Sequence, residues 1–574
     1  MCIISSIDNF TPSQIGEKGC YEYKWSNNVK ENILQLNFQL TRTYNPSTIR
    51  NLSNLTDKIL DELVSSYKAN IISRDEYLEL MSLMFRTIAF TRDIIDGKGE
   101  YTLAFMLLDV WYNHFPELAK FALRHFVFSP ENSPNIHPFG SWKDIKYLFS
   151  YFVNSNTNSN TNSNTNSNTN SLINYGIELM IEQLNLDISS NNPSLLGKWI
   201  PREKSKFGKL FTKLACQYFK KYIIDSKNEK SKQLAIKKCK MEFRKILSCL
   251  NKKLDTVQIK QCSSNWSEIK PSKLTSMTIV NQKCAFLKII EEKEDRIACA
   301  KNFKESLDNN DKINGKFVSL NKFVSEAIKL IKSNNKDSLD AKILNNQWID
   351  NSNQTLLLEN YICMLDLSNN YDIESRNASI ALGIRIAEKS YFKNRLLTFS
   401  ANPSWINLEK CETFIEMVDE VISKSNCDMK SNFSEALNFI LDTIIIKQLT
   451  YEQVENLVLI IISDMQIDKL DKSIDLHKYI DEQFLETGLK LWQKPFKTPH
   501  IIFWNTRSTS GFPSLSINNN SSMLSGYNPN ILNNFSKSKM KNEFNYNSKP
   551  WDNLNKILKN KRYDILDKKI RDTL

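Results

Sequence analysis

No stretch of this 574-residue chain stays apolar for anything near the roughly 20 residues that a membrane-spanning helix requires. Apolar runs such as residues 457–462 (LVLIII) and 444–446 fall far short, so no membrane partner is expected. The first residues, MCIISSIDNFTPSQ, lack a charged region followed by an apolar stretch and a small-residue cleavage site, which points to an intracellular, cytoplasmic protein. Cysteine pairing is also missing. The 11 cysteines stand singly, as at Cys216, Cys239, Cys249, Cys262 and Cys284, with no CxxC and no histidine at zinc-finger spacing. Reduced, mostly buried thiols are expected. Nor does the chain hold a Gly-rich phosphate loop, a GxSxG elbow or an HExxH helix. Asp464 and Asp468 are the one pair of carboxylates that invites a metal-dependent hydrolase, but four residues across a strand-to-loop transition need not bring them together. A non-enzymatic protein is the expectation.

The charge of +12 arises from 76 basic against 64 acidic side chains, so the excess is thinly spread; it permits an acidic partner without demanding one. At 41% hydrophobic and 24% charged, the composition is that of an ordinary globular protein. The length suggests about three units.

Apolar spacing predicts helices over most of residues 55–152. Ser73 and Glu76 form a capping-box signature, and Leu78, Met81, Phe85, Ile88 and Ile95 follow at helical steps. Asp96-Gly97-Lys98-Gly99 ends that helix. Residues 154–171 repeat Asn-Ser-Asn-Thr, a polar stretch with no apolar surface to offset its ordering, and a disordered insertion is expected there. Helical patterning resumes over residues 207–224, 235–250 and 317–331, predicting a helical array, HEAT-like in kind. After Trp348 the pattern changes. Strands are predicted at 361–365, 395–400, 457–462 and 500–504, alternating with helices at 378–391, 414–423 and 433–446. This argues for a mainly parallel sheet with helices on both faces, hence an α + α/β chain. The Lys-rich tail, 533–574, spaces Leu554, Ile557, Leu558, Leu566 and Ile570 as an amphipathic helix that docks on the body. The reading divides the chain into an N-terminal extension (1–50), a helical region (51–345), an α/β domain (355–510) and a C-terminal loop with a basic tail (511–574).

Open α/β sheets bind ligands at the carboxyl ends of their strands. There stand Asp366-Leu367-Ser368-Asn369-Asn370 after the first predicted strand and Ser463-Asp464-Met465 after the third, with Lys430-Ser431-Asn432 opening a helix between them. Carboxylates and hydroxyls converging on one crevice are hard donors that suit magnesium, or manganese in its place. The arrangement resembles the metal-ion-dependent adhesion site of von Willebrand factor A domains, Asp-x-Ser-x-Ser, then Thr, then Asp, on a Rossmann-like doubly wound sheet. Asp366 and Ser368 match its first two positions, Asn370 takes the third, Ser431 stands where Thr is usual, and Asp464 matches the last. Asn370 lacks the hydroxyl and Ser431 lacks a methyl, so the site is a degenerate one. Six further segments resemble an uncharacterised family from giant viruses, plants and fungi: residues 91–100 (TRDIIDGKGE), 137–147 (HPFGSWKDIKY), 196–203 (LGKWIPRE), 395–405 (RLLTFSANPSW), 463–467 (SDMQI) and 502–505 (IFWN). That likeness widens the expected location to a host cytoplasm or a virion. The layout is also similar to the Ro autoantigen, a helical ring that binds RNA beside a von Willebrand A domain.

The resemblance implies a binding or scaffold protein whose bound Mg2+ engages an acidic side chain of a protein partner. A second expectation is binding of structured RNA, with Arg92, Lys98, Arg124, Lys143, Arg202 and Lys204 as the basic residues and Trp142 and Trp199 as stacking platforms. Solvated charge and core tryptophans are the plainer reading of the same residues. His125 and His137 have no nucleophile or ligand partner at useful spacing and read as structural.

Overall fold

The computed structural model of the chain describes residues 12–574 apart from 131–134, 159–162, 290–292, 310, 368–371, 425–430, 471–473 and 536–547, and leaves the side chains of 154–170 undescribed. It divides into two compact units, one of Met1–Leu103, Thr275–Val280 and Asp311–Leu574, the other of Ala104–Leu274 and Asn281–Asn310. The architecture is α + α/β.

The first unit opens with a hairpin, β1 (Ser13–Ile15) and β2 (Tyr21–Tyr23), and three helices, α1 (Val29–Gln39), α2 (Pro46–Lys68) and α3 (Arg74–Arg92). Ser73 caps α3 by accepting from the Glu76 N–H, as the spacing predicts. After α4 (Leu320–Lys332) and α5 (Leu339–Ser352) comes the sheet: β3 (Tyr361–Leu365), β4 (Arg395–Thr398), β5 (Ser404–Asn407), β6 (Val458–Ser463), β7 (His500–Asn505) and β8 (Ser521–Ser525). Interleaved with it are α6 (Ile373–Lys389), α7 (Phe414–Lys424), α8 (Phe433–Lys447) and α9 (Leu476–Trp492), and α10 (Pro550–Leu558) and α11 (Asp564–Thr573) follow.

The strand order is β5-β4-β3-β6-β7-β8, parallel throughout except for β5 at one edge. The chain leaves β3 toward β4 and then returns past β3 to β6, so the winding reverses between β3 and β6. Right-handed crossovers put the helices of those two directions on opposite faces. Strands β3 and β7 are buried at every position, as expected where both faces are covered. The four predicted strands are present. Strands β5 and β8 and the hairpin carry no comparable apolar run and escaped the sequence reading.

Strand β8 is a sheet edge, yet all five of its residues are buried. Helices α1 and α10 pack on it, and the Asn553 amide of α10 donates to the Ser521 carbonyl at 3.1 Å and to Ser522 Oγ at 2.7 Å. The tail is two helices, with Leu554, Ile557, Leu558, Leu566 and Ile570 buried. Between them Arg562 grips the buried Asp93 carboxylate at 2.6 and 2.8 Å, and Tyr563 adds a 3.1 Å hydrogen bond.

The second unit is helical over its described residues. Helix Pro116–Val127 packs on Ser163–Ser189, and Gly208–Tyr218 packs on Glu229–Lys253 through Phe211 and Phe243. Within residues 154–171, where the sequence suggests disorder, the backbone is helical to Asn158 and again from Ser163. Once a flanking helix exists, extending it is far easier than nucleating one. Residues 159–162 lie outside the described residues.

Lys98, in the turn after α3, is 3% exposed. Its ammonium donates to the Asn37 and Leu40 carbonyls at the end of α1 and to Ser525 Oγ on β8, the last two at 2.9 and 2.6 Å. Three acceptors match its three N–H groups, although burial pushes its pKa down to about 7. Lys98→Met removes this donor from the Leu40 carbonyl and Ser525 Oγ and leaves the Asn37 carbonyl only its bond from Ser525 Oγ, and we expect a loss of stability on the order of 3 kcal/mol in chemical denaturation. An unchanged unfolding midpoint would show that the ammonium is not what joins α1 to β8.

Candidate functional site at the strand crossover

The reversal between β3 and β6 places two carboxylates side by side. Leu365 pairs with Ile462, so Asp366 and Ser463 follow level with one another, and Asp464 comes one residue later. Asp366 is fully buried, its N–H donates to the Ile462 carbonyl at 3.0 Å, and its Oδ2 accepts from Ser463 Oγ at 3.0 Å. Asp464 is fully buried as well, and its Oδ1 accepts from the Gln466 N–H at 3.0 Å. The next residue, Met465, adopts φ 62°, a left-handed conformation that costs a non-glycine residue energy. That turn sends the chain sharply away from the strand and leaves Asp464 at its tip.

The residue that sequence reasoning missed is Arg507. It stands two residues after β7, held by a bond from its N–H to Asn505 Oδ1, and its guanidinium forks onto Asp464 Oδ2 at 2.9 Å (Nε) and 2.6 Å (Nη2). The signal was present, because β7 is parallel to β6 and its carboxyl end opens on the same side. Helix α1 steadies this loop: Gln39 accepts from the Thr509 N–H at 2.6 Å and donates to the Gly511 carbonyl at 3.1 Å.

The hairpin closes around the same turn. Gln466 donates to Glu22 at 3.0 Å and accepts from the Glu17 N–H at 2.7 Å, while Glu17 Oε2 lies 3.2 Å from Arg507 Nη2. Gly511 fits because a Cβ there would sit 1.8 Å from the Glu22 carboxyl carbon. Burial raises the pKa of Glu22 against the hydrogen bonds from Gln14 and Gln466.

Ser431 opens α8 beside Ser400, at the end of β4. Its hydroxyl and its N–H both donate to the Asp468 carboxylate, the hydroxyl at 2.9 Å. Together with Asn432, Glu435, Asn438 and Lys469, these two residues line a polar cleft of about 270 Å³. The predicted set is thus brought together in part: Asp366 and Asp464 adjoin, Ser431 engages Asp468, and Ser368 and Asn370 lie outside the described residues. Among the described residues, no group of three or more His, Cys, Asp or Glu is placed to hold a metal ion. A cation here would rest on two carboxylates with hydroxyl or amide oxygens.

The basic residues singled out in the sequence are scattered in role. Arg92 is buried over the Tyr101 ring, Lys98 is buried as described, and Arg124 pairs with Glu182 at 2.8 Å. Arg202 and Lys204 are exposed, and Lys143 lies over Trp199. Trp142 is buried against Phe128, and His125 is bonded to the Phe121 carbonyl. His137 is exposed.

The fold is an α/β domain whose strand winding reverses between β3 and β6, the kind of switch point at which open sheets take ligands. A family model described as a domain of unknown function (DUF7788) matches residues 362–569. The matched segment runs from β3 into α11 and includes Asp366, Ser431, Asp464 and Arg507. No curated protein matches the chain. Among the described residues no helix is long and apolar enough to cross a membrane.

Burial raises the pKa of Asp464 above 3.8, Arg507 opposes the shift, and Asp366 adds to it. Just above pH 3.8 the folded chain therefore holds a proton that the unfolded chain has released, and the stability from this group is lost as pH rises through the folded value. Asp464→Asn removes that titration. Its melting temperature, followed upward from pH 3.8, is expected to lack the parent's decline across this window; parallel curves for parent and variant would assign the titration elsewhere.

Proposed function

We propose that the crossover crevice is a von Willebrand factor A-like site that takes a divalent cation, magnesium or manganese, and through it an acidic side chain of a protein partner. The protein is on this reading a binding or scaffold protein. The observation that carries it is the pair Asp366 and Asp464, both fully buried on adjacent strands, with Arg507 as the cation bonded to Asp464. Two carboxylates buried side by side repel one another, as the upward push of Asp366 on the Asp464 pKa records, and a divalent ion between them would relieve that repulsion. Asp366 and Asp464 would hold the ion, and by resemblance Ser368, Asn370 and Ser431 would add oxygens. The cation would supply a charge centre for a carboxylate. Arg507 competes with it for Asp464. Binding is favoured over catalysis because the polar groups present are committed to one another: Ser463 to Asp366, Arg507 to Asp464 and Ser431 to Asp468.

Calorimetric titration of the whole chain with Mg2+ and Mn2+ tests this. Binding is expected in the parent and absent in Asp366→Ala. In Arg507→Met, which removes the competing charge, affinity is expected to rise about tenfold if the variant remains folded, a change of about 1.4 kcal/mol. Heat in the parent that persists in Asp366→Ala, or no heat in either parent or Arg507→Met, would overturn the reading.

A further inference from the structure

In the second unit four lysines converge on two rings. Lys143 and Lys146 stand one turn apart at the start of helix Lys143–Asn158, Lys198 precedes Trp199 in the short helix Leu196–Trp199, and Lys206 precedes Phe207. The Nζ atoms of Lys143, Lys146 and Lys198 lie 4.2, 5.3 and 5.6 Å from the Trp199 ring centroid. Those of Lys146 and Lys206 lie 5.2 and 5.0 Å from that of Phe207. Ring faces attract ammonium groups, but several like charges gathered on them repel one another.

Glu203, three residues before Lys206, is held by other bases: its carboxylate is taken by Lys240 at 3.4 Å and Arg244 at 2.9 Å. Lys146, Lys198 and Lys206 form no ion pair among the described residues. Burial and the nearby Lys206 lower the pKa of Lys146, and burial lowers that of Lys198. Helix Gly208–Tyr218 begins directly after Phe207 with no side-chain cap and no acid in its first turn, so the positive end of its dipole adds to the same region.

We propose that this lysine cluster is a binding site for a compact, multiply phosphorylated small molecule. Lysine ammonium groups are point charges that accept phosphate oxygens from many directions, and several around one point suit a dense anion. An extended nucleic-acid backbone spreads its phosphates along a strip, and its bases need free ring faces to stack on. Here Trp199 is already engaged by three ammonium groups.

The test is calorimetry on the full chain at low salt with tripolyphosphate and, separately, inositol hexakisphosphate, which distinguishes a linear from a ring-borne phosphate source. Saturable binding of at least one, weakening as salt rises, is expected. The double variant Lys146→Gln/Lys198→Gln is expected to lose about tenfold or more in affinity, while the exposed Lys237→Gln on helix Glu229–Lys253 stays within about twofold. Circular dichroism checks that the variants fold, and Lys206→Gln, at an exposed position, serves if the double variant does not. No binding of either compound, equal loss in Lys237→Gln, or tighter binding of a single-stranded oligonucleotide lost in the same variants would overturn the proposal.

Discussion

A parallel sheet whose outer strand is buried must have that strand's edge covered, and in this chain half of the cover comes from far along the sequence. Helix α10, the next α-helix after β8, packs on it, and so does α1, which lies near the start of the chain. Lys98 is the junction. A charge as fully buried as this is costly unless every N–H finds an acceptor, and its acceptors come from α1 and β8. The turn that carries it is fixed in part by Gly97, where a Cβ would lie 2.2 Å from the Phe90 carbonyl oxygen. Asp93, four residues before Gly97, is in turn held by Arg562 and Tyr563 of the tail. One short turn therefore connects the end of α3, the end of α1, the sheet edge and the C-terminal helices, and the sheet keeps its register at β8 because these contacts agree.

The consequence reaches the crossover. The loop from β7 to β8 carries Arg507, and its course is set at one end by β7 and along its length by α1 through Gln39 and through Glu31, which accepts from the Ser516 N–H at 3.0 Å. Burial raises the pKa of Glu31, with Ser516 opposing that shift. So the edge cover and the candidate site share a support: α1 both seals β8 and aims the arginine that faces Asp464. Of the polar residues buried along α1, Glu31 and Gln39 serve this loop, whereas Gln35 holds the chain at Lys24 and Ser26 and the Asn37 side chain reaches Thr87 of α3.

The central strands were legible because a buried parallel strand reads as a continuous apolar run, as LVLIII does at β6. Strand β8 was not, since SSMLS has little apolar surface of its own and owes its burial to α1 and α10. Asp366 and Asp464 were found because a rule of topology points to the residues after strands. Arg507 obeys the same rule and was passed over because it does not belong to the adhesion-site pattern. Lys98 shows the opposite limit. As a basic residue beside glycines it reads as surface charge, and only the convergence of carbonyls some sixty residues upstream makes it an interior cation. The hairpin is likewise hidden, because its three-residue strands are held chiefly by Gln466 and Phe512 rather than by a pattern within them.

Arginine at position 507 answers a geometric demand that lysine does not meet. Two of its nitrogens converge on one carboxylate oxygen of Asp464, and the same Nη2 also reaches Glu17 on the hairpin. A rigid planar fork makes such contacts with little further ordering, whereas a lysine would have to reach both carboxylates from a single nitrogen at the end of a flexible stem. The guanidinium is 27% exposed at the side chain against 1% for Asp464, so the acid is the buried partner and the arginine its route to solvent. The guanidinium therefore meets Asp464 from the side open to solvent, while Asp366 takes the Ser463 hydroxyl from the neighbouring strand, so each of the two adjacent acids is held by a different element of the sheet.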